Sequence, residues 1–277
     1  MIVKKMLYAL GLVCLSLSPP SFSWNAIGHR VIAQIAYDHM TNKAISIFNH
    51  YNRAVDPTRR PPSLVNSAVW LDRLYSHDLK SLKLIHYIDS PYSTDGSPLP
   101  QLQVMNAVWA ITMATNLLLN GDASDLEKGI ALRILLHVVG DIHQPLHAIT
   151  QISQRFPAGD KGGNLVRLRK NAVASNLHSY WDKGAGSLVS KTYCRPAKIK
   201  KMAQQIEKRW PCEANAVDRN PTHWAQESYD FAVNTVYKLP PDDVLDKEYQ
   251  SSAHRLADQR LALAGCRLAE LLNRLAR

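Results

Sequence analysis

Apolar residues recur along this chain with the period of an α-helix and almost nowhere with that of a strand. Ala44, Ile47, Phe48 and Tyr51 fall at i, i+3, i+4 and i+7, and Leu64, Ala68, Leu71 and Tyr75 repeat the spacing. Leu132, Leu135, Leu136 and Val139 line another helical face. Ala257, Leu261, Ala264, Leu268, Leu271 and Leu275 form a long stripe near the C-terminus. Alternation is confined to NLVRLRK at 164–170, which follows the Gly-rich GDKGGN and predicts a turn with a short hairpin. Turn and breaker residues gather at 56–62, 91–100, 157–163 and 239–243, none long enough for an interdomain linker, and no internal repeat is visible. The pattern predicts an all-α, single multi-helix domain with a minor β-hairpin.

The first 23 residues do not belong to that domain. Lys4 and Lys5 precede an apolar run from Met6 to Leu17, then Pro19-Pro20, with small Ser21 and Ser23 before Trp24. This is the layout of a secretory signal peptide, and the run is too short to span a bilayer. Acylation at Cys14 is disfavoured because Val13 before it is not small. The reading is therefore a leader over 1–23 and a domain over 24–277, exported to the periplasm or beyond, with no membrane attachment afterwards. Loss of Lys4 and Lys5 takes the formal charge from +10 to +8. A basic surface favours polyanions such as nucleic acid or anionic lipid, a weak signal by itself. Cys194, Cys212 and Cys266 remain, and the short loop between the first two makes Cys194–Cys212 the expected disulfide. No acceptor sequon for N-glycosylation is present.

Chemistry concentrates in LLHVVGDIHQPLH, residues 135–147. His137 and Asp141 are four apart, so on a helix they share a face and converge on one ion; Pro145 then ends the helix and His147 follows. NLHSYWD at 176–182 repeats the arrangement with His178 and Asp182. VWLDRL contributes Asp72 and LIHYID contributes His86, each inside an apolar stripe where a lone polar group needs a partner. Singly, each is more often a satisfied core residue or a cap than a ligand. Together, these histidines and aspartates directed inward from separate helices predict a multinuclear metal site. Imidazole and carboxylate without thiolate suit zinc in a catalytic role.

These residues resemble the zinc-dependent single-strand nuclease and 3′-nucleotidase family of the mung bean nuclease type, which shares its fold with bacterial zinc phospholipase C. HVVGDIHQPLHA and GDKGGN carry the most specific likeness. In that family the mature chain begins with tryptophan, whose α-amine and carbonyl chelate zinc. The resemblance implies three Zn²⁺: one held by Trp24, His29 and Asp141, a second by Asp72, His86, His137 and the bridging Asp141, a third by His147, His178 and Asp182. Asp72 and Asp141 would organise catalysis at the close pair, and the third ion would stabilise the departing 3′ oxygen. Arg73 is the candidate phosphate clamp, because the lysine that relatives carry nearby is replaced here by Tyr75.

Two details place the chain nearer the nucleases than the phospholipases: the short Trp24-to-His29 interval, and aspartate rather than glutamate at 182. In the nucleases an aromatic at the place of Tyr87 stacks a base, and a carboxylate or amide at the place of Asp89 meets its polar edge. Asn164 joins them as a substrate-binding candidate, and Phe156 is the candidate for a second aromatic. His143 reads as structural. The expected activity is hydrolysis of single-stranded DNA and RNA and of 3′-nucleotides by a monomer, with no stable protein partner implied. The alternative is a phospholipase C acting on phosphatidylcholine-type lipids.

Overall fold

The computed structural model describes residues 24–57, 62–75, 80–190, 194–212 and 218–277; the expected leader, 1–23, lies outside the described residues. Helices dominate in chain order: α1 (Ala26–His39), α2 (Asn42–Val55), α3 (Leu64–Ser67), α4 (Trp70–Tyr75), α5 (Ala107–Leu119), α6 (Asp125–Asp141), α7 (Leu177–Asp182), α8 (Pro196–Arg209), α9 (Pro221–Phe231) and α10 (Lys247–Leu275). The predicted all-α architecture with a small β element is what forms.

α6 is the central rod. Ser124 caps it, accepting from Glu127 N while the Glu127 carboxylate accepts from Ser124 N at 2.8 Å, a capping box that stabilises the start by about 1 kcal/mol. Its C-terminal half, Leu135 to Asp141, is buried all round. α2 and α5 cover its sides, and α1 runs between α6 and α10. α1 and α10 approach closely at Gly265, where a Cβ would stand 2.6 Å from Ile35. Each fully buried leucine or isoleucine at these contacts contributes about 1.5–3 kcal/mol.

The stripe over 64–75 is not one helix. α3 ends at Ser67 and α4 starts at Trp70, and the break releases the Ala68 carbonyl to accept from His137 Nδ1 at 2.7 Å. The β element also differs from expectation. Its two strands, β1 (Ser90–Ser93) and β2 (Ile149–Ile152), run parallel, Ser90 opposite Ile149 and Ser93 opposite Ile152. The expected hairpin at 164–170 is reduced, among the described residues, to a single antiparallel bridge, Arg167 to Asn176. Arg169 N turns instead to Asp243 O, and Lys170 adopts a left-handed φ of 47°, so the ladder stops.

The disulfide is Cys212–Cys266, and Cys194 is a buried free thiol, which corrects the expected Cys194–Cys212 pair. α8 stands between Cys194 and Cys212 as a rod of about 21 Å, holding the two apart despite their short sequence separation.

Candidate metal centre

α6 delivers His137 and Asp141 from consecutive turns, and both are fully buried. Asp141 is the hub. Its Oδ2 lies 3.0 Å from His86 Nδ1 and 3.3 Å from His137 Nε2, and its Oδ1 lies 3.3 Å from His29 Nε2. Asp72, from α4, stands 3.4 Å from His137 Nε2. His29, from α1, stacks on His137 with ring centroids 3.8 Å apart. Trp24 is wholly buried beside them: its indole donates to Gly140 O at 3.0 Å, and the Gly140 Cα faces the His29 ring.

A second cluster lies one short turn further along the chain. Ile142 to Gln144 close α6, Pro145 opens a 3-10 turn, and His147 ends it. α7 brings His178 and Asp182, whose carboxylate lies 3.6 Å from His178 Nε2 and 3.9 Å from His147 Nε2. The two clusters are joined through one residue. His86 offers its ring to Asp141, and its backbone carbonyl accepts from His147 Nδ1 at 2.7 Å.

The donor chemistry fits divalent cations. His137, His147 and His178 each donate from Nδ1 to a backbone carbonyl, of Ala68, His86 and Gly162 respectively, at 2.6–2.7 Å. That bond fixes the tautomer and turns the Nε2 lone pair inward. Nε2 of His86, His147 and His178 and Oδ1 of Asp72 and Asp141 are buried and make no hydrogen bond. Such groups are costly to bury unless an ion completes them. Among the described residues four sets gather their ligand atoms within 4.8 Å, and three belong to these clusters: His29, Asp72 and His137; His86, His137 and Asp141; His147, His178 and Asp182.

Electrostatics agree with the geometry. Burial, reinforced by the neighbouring His137, lowers His29 to about 3; burial and His147 lower His178 to about 3. Burial lowers His147 as well. Burial works to raise the Asp72 and Asp141 carboxyls, but His137 above all outweighs it and both end below the usual carboxylate range. Burial likewise opposes the charge on His137, and Asp141 and Asp72 overcome it, raising His137 to about 9. Neutral imidazoles at His29, His147 and His178 and charged carboxylates at Asp72 and Asp141 are the forms that bind metal.

The remaining sequence candidates occupy different surroundings. Tyr87 is half-buried beside His86 and its carbonyl accepts from Ala107 N at 2.9 Å. Asp89 is half-buried at a left-handed φ of 45°, and burial together with the Asp160 charge raises its carboxyl to about 6. Asn164 donates its side-chain amide to Lys161 O inside its own turn. Arg73 is exposed and borders a small cleft with Trp70, Asn66 and Arg133. Phe156 is half-buried under the Arg155 guanidinium. His143 is structural: its Nδ1 donates to Val139 O, its Nε2 accepts from Arg267, and its carbonyl accepts from Arg260.

Three supports were missed by the sequence reading. Gln144, fully buried, donates to Asp182 Oδ1 at 2.8 Å. Asp160, also fully buried, accepts from Gln151 N, Gly163 N and Tyr237 OH, and so shapes the GDKGGN loop. In that loop Gly162 (φ 59°) presents its carbonyl to His178, and a Cβ there would sit 2.3 Å from Leu146 O. Glu227 bridges Arg260 and Arg267, which hold the turn after α6. A polar residue flanked by ligands was the available signal for Gln144.

Fold and site together define a helical protein built round a buried, multi-ligand histidine–aspartate centre. The family model described as S1/P1 Nuclease matches residues 24–277, and the chain belongs to that family: it is a nuclease, a hydrolase of phosphodiester bonds. Endonuclease 4 of Arabidopsis thaliana is 27% identical over 295 residues, covering 97% of this chain and 94% of that protein. Nuclease S1 of Aspergillus oryzae is 28% identical over 287 residues, covering 95% of each. Nuclease P1 of Penicillium citrinum is 28% identical over 170 residues, 57% of each. The similarity falls on nucleases and does not favour the phospholipase alternative. Among the described residues, no helix is long and apolar enough to cross a membrane.

Proposed function

We propose that residues 24–277 form an exported, zinc-dependent endonuclease and 3′-nucleotidase that prefers single strands. The observation that carries this reading is the set of imidazoles whose Nδ1 atoms are anchored to backbone carbonyls while Nε2 faces buried carboxylates. Asp72, His86, His137 and Asp141 would hold one zinc, with Asp141 shared by a second that Trp24 and His29 complete. His147, His178 and Asp182 would hold the third. Bound zinc supplies Lewis acidity toward phosphoryl oxygens and a nucleophile available near neutral pH.

The chain's own residues do the rest. Trp24 contributes its α-amine only if the bond after Ser23 is cut, because an amide nitrogen has no lone pair to give. Tyr87 stacks the base next to the scissile phosphate, with Asp89 and Asn164 toward its polar edge and Arg73 toward the phosphate. Stacking tolerates every base, since each has a π-face. A paired base reaches Tyr87 only after unstacking, at a few kcal/mol, and this favours single strands. Asp141→Asn tests the reading. The variant is expected to lose hydrolysis of denatured DNA along with bound zinc; a fully active variant refutes the bridging role. Duplex DNA and phosphatidylcholine, assayed in parallel with wild type, should be cleaved slowly and not at all.

A further inference from the structure

The end of α8 and one face of α10 enclose a cavity that none of the His–Asp sets of the centre lines. Ser251, His254, Arg255 and Asp258 are spaced i, i+3, i+4 and i+7 on α10, so they share a face. Arg209 ends α8 and Trp210 caps it, and these residues together line a volume of about 630 Å³, a size that suits a small molecule. Two residues past Trp210, Cys212 is bonded to Cys266, which stands two turns beyond Asp258 on α10. The bond ties one wall of the cavity to the other.

Asp258 is 2% exposed. Its Oδ2 accepts from Arg209 Nη2 at 2.5 Å and lies 3.7 Å from His254 Nε2. Its Oδ1 is buried and makes no hydrogen bond. A carboxylate oxygen in that state is costly unless a donor completes it. Arg209 and Arg255 set two guanidiniums against this one carboxylate, which opposes a metal cation or an ammonium and leaves a neutral hydroxyl as the donor. Arg255 is exposed, and among the described residues its side chain makes no hydrogen bond or ion pair. Its planar fork matches a phosphate or a carboxylate. The half-buried Trp210 adds apolar surface. A sugar bearing an acidic group carries all three complements: hydroxyls at its edge, an apolar C–H face and an anionic arm.

We propose that this α8–α10 cavity binds an anionic sugar, with a ring hydroxyl donating to Asp258 Oδ1, the phosphate or carboxylate arm on Arg255 and the ring face on Trp210. The site shares no residue with the His–Asp centre and does not depend on the nuclease reading.

The experiment titrates zinc-loaded protein with ribose 5-phosphate, galacturonate, ribose and inorganic phosphate by calorimetry, in wild type, Arg255→Ala and Ser251→Trp. Both replaced residues are exposed, so the variants should fold and should cleave denatured DNA at the wild-type rate. At least one anionic sugar should bind wild type. Arg255→Ala should weaken it about tenfold, the worth of one charged hydrogen bond, and Ser251→Trp should abolish it by filling the cavity. Binding of ribose 5-phosphate alone supports the site and makes its ligand a sugar phosphate; binding of galacturonate alone supports it and makes the ligand a uronic acid. A sugar held equally by wild type and both variants sits elsewhere, on the zinc ions for instance, and overturns the site. Absence of binding by either anionic sugar at millimolar concentration overturns it too. An Arg255-dependent affinity no greater for the anionic sugars than for ribose or inorganic phosphate overturns the ligand class.

Discussion

Replacing Cys212 and Cys266 by serine should destabilise the domain without dismantling the metal centre. The bond joins the segment after α8 to α10 across a sequence separation of 54 residues, with Cα atoms 5.4 Å apart. In the chain-entropy account, closing a loop of that length removes about 14 cal/mol/K from the unfolded ensemble, or about 4 kcal/mol at room temperature. Residual structure in the unfolded chain commonly reduces such values, so about 2–4 kcal/mol is expected. For a domain of this size that lowers the melting temperature by about 5–15 °C. The assay is thermal unfolding of wild type and Cys212→Ser/Cys266→Ser, with zinc content and nuclease rate measured well below both transitions. Zinc content should be retained, because neither cysteine belongs to the His–Asp sets of the centre. Thiol titration of the unfolded, unreduced wild-type domain should find one reactive group, Cys194. A double variant that melts with wild type, or a peptide map joining Cys212 to Cys194, refutes the reasoning.

Two further outcomes are expected. Gln144→Met keeps the buried volume but removes the donor to Asp182, so the ion at His147, His178 and Asp182 should bind about 10- to 100-fold more weakly while the others are retained; a chelator titration that strips all ions together contradicts this. In metal-free protein His137 is raised from about 6.5 to about 9. Its charged form therefore stabilises the fold fully below about pH 6.5, and that contribution disappears as pH rises through 9. Melting of the chelated protein should fall across that interval, and apparent zinc affinity should rise; a rising melt there argues against the His137–Asp141–Asp72 arrangement.

Much of this organisation was legible in the chain because helical period and ligand spacing share one geometry. His137 and Asp141 sit one turn apart, as do His178 and Asp182, and the apolar positions around them mark those faces as buried. What escaped depends on distances that spacing does not encode. Sequence proximity of Cys194 and Cys212 is cancelled by the intervening rod of α8. The break between α3 and α4 leaves the apolar rhythm unaltered, yet it frees the Ala68 carbonyl for His137. β1 and β2 pair from opposite sides of α5 and α6, and Pro91 within β1 hid that strand among the breakers. Gln144 and Asp160 look like ordinary polar residues until their partners are in place.

Metal content of the domain beginning at Trp24, measured beside a form bearing one extra residue before it, bears most directly on the whole account. Three zinc ions per chain and strong cleavage of denatured DNA are expected for the first, with one ion fewer and weakened cleavage for the second. Full loading and rate in the extended form contradict the role given to the Trp24 amine. Cleavage that survives exhaustive chelation contradicts the metal centre itself.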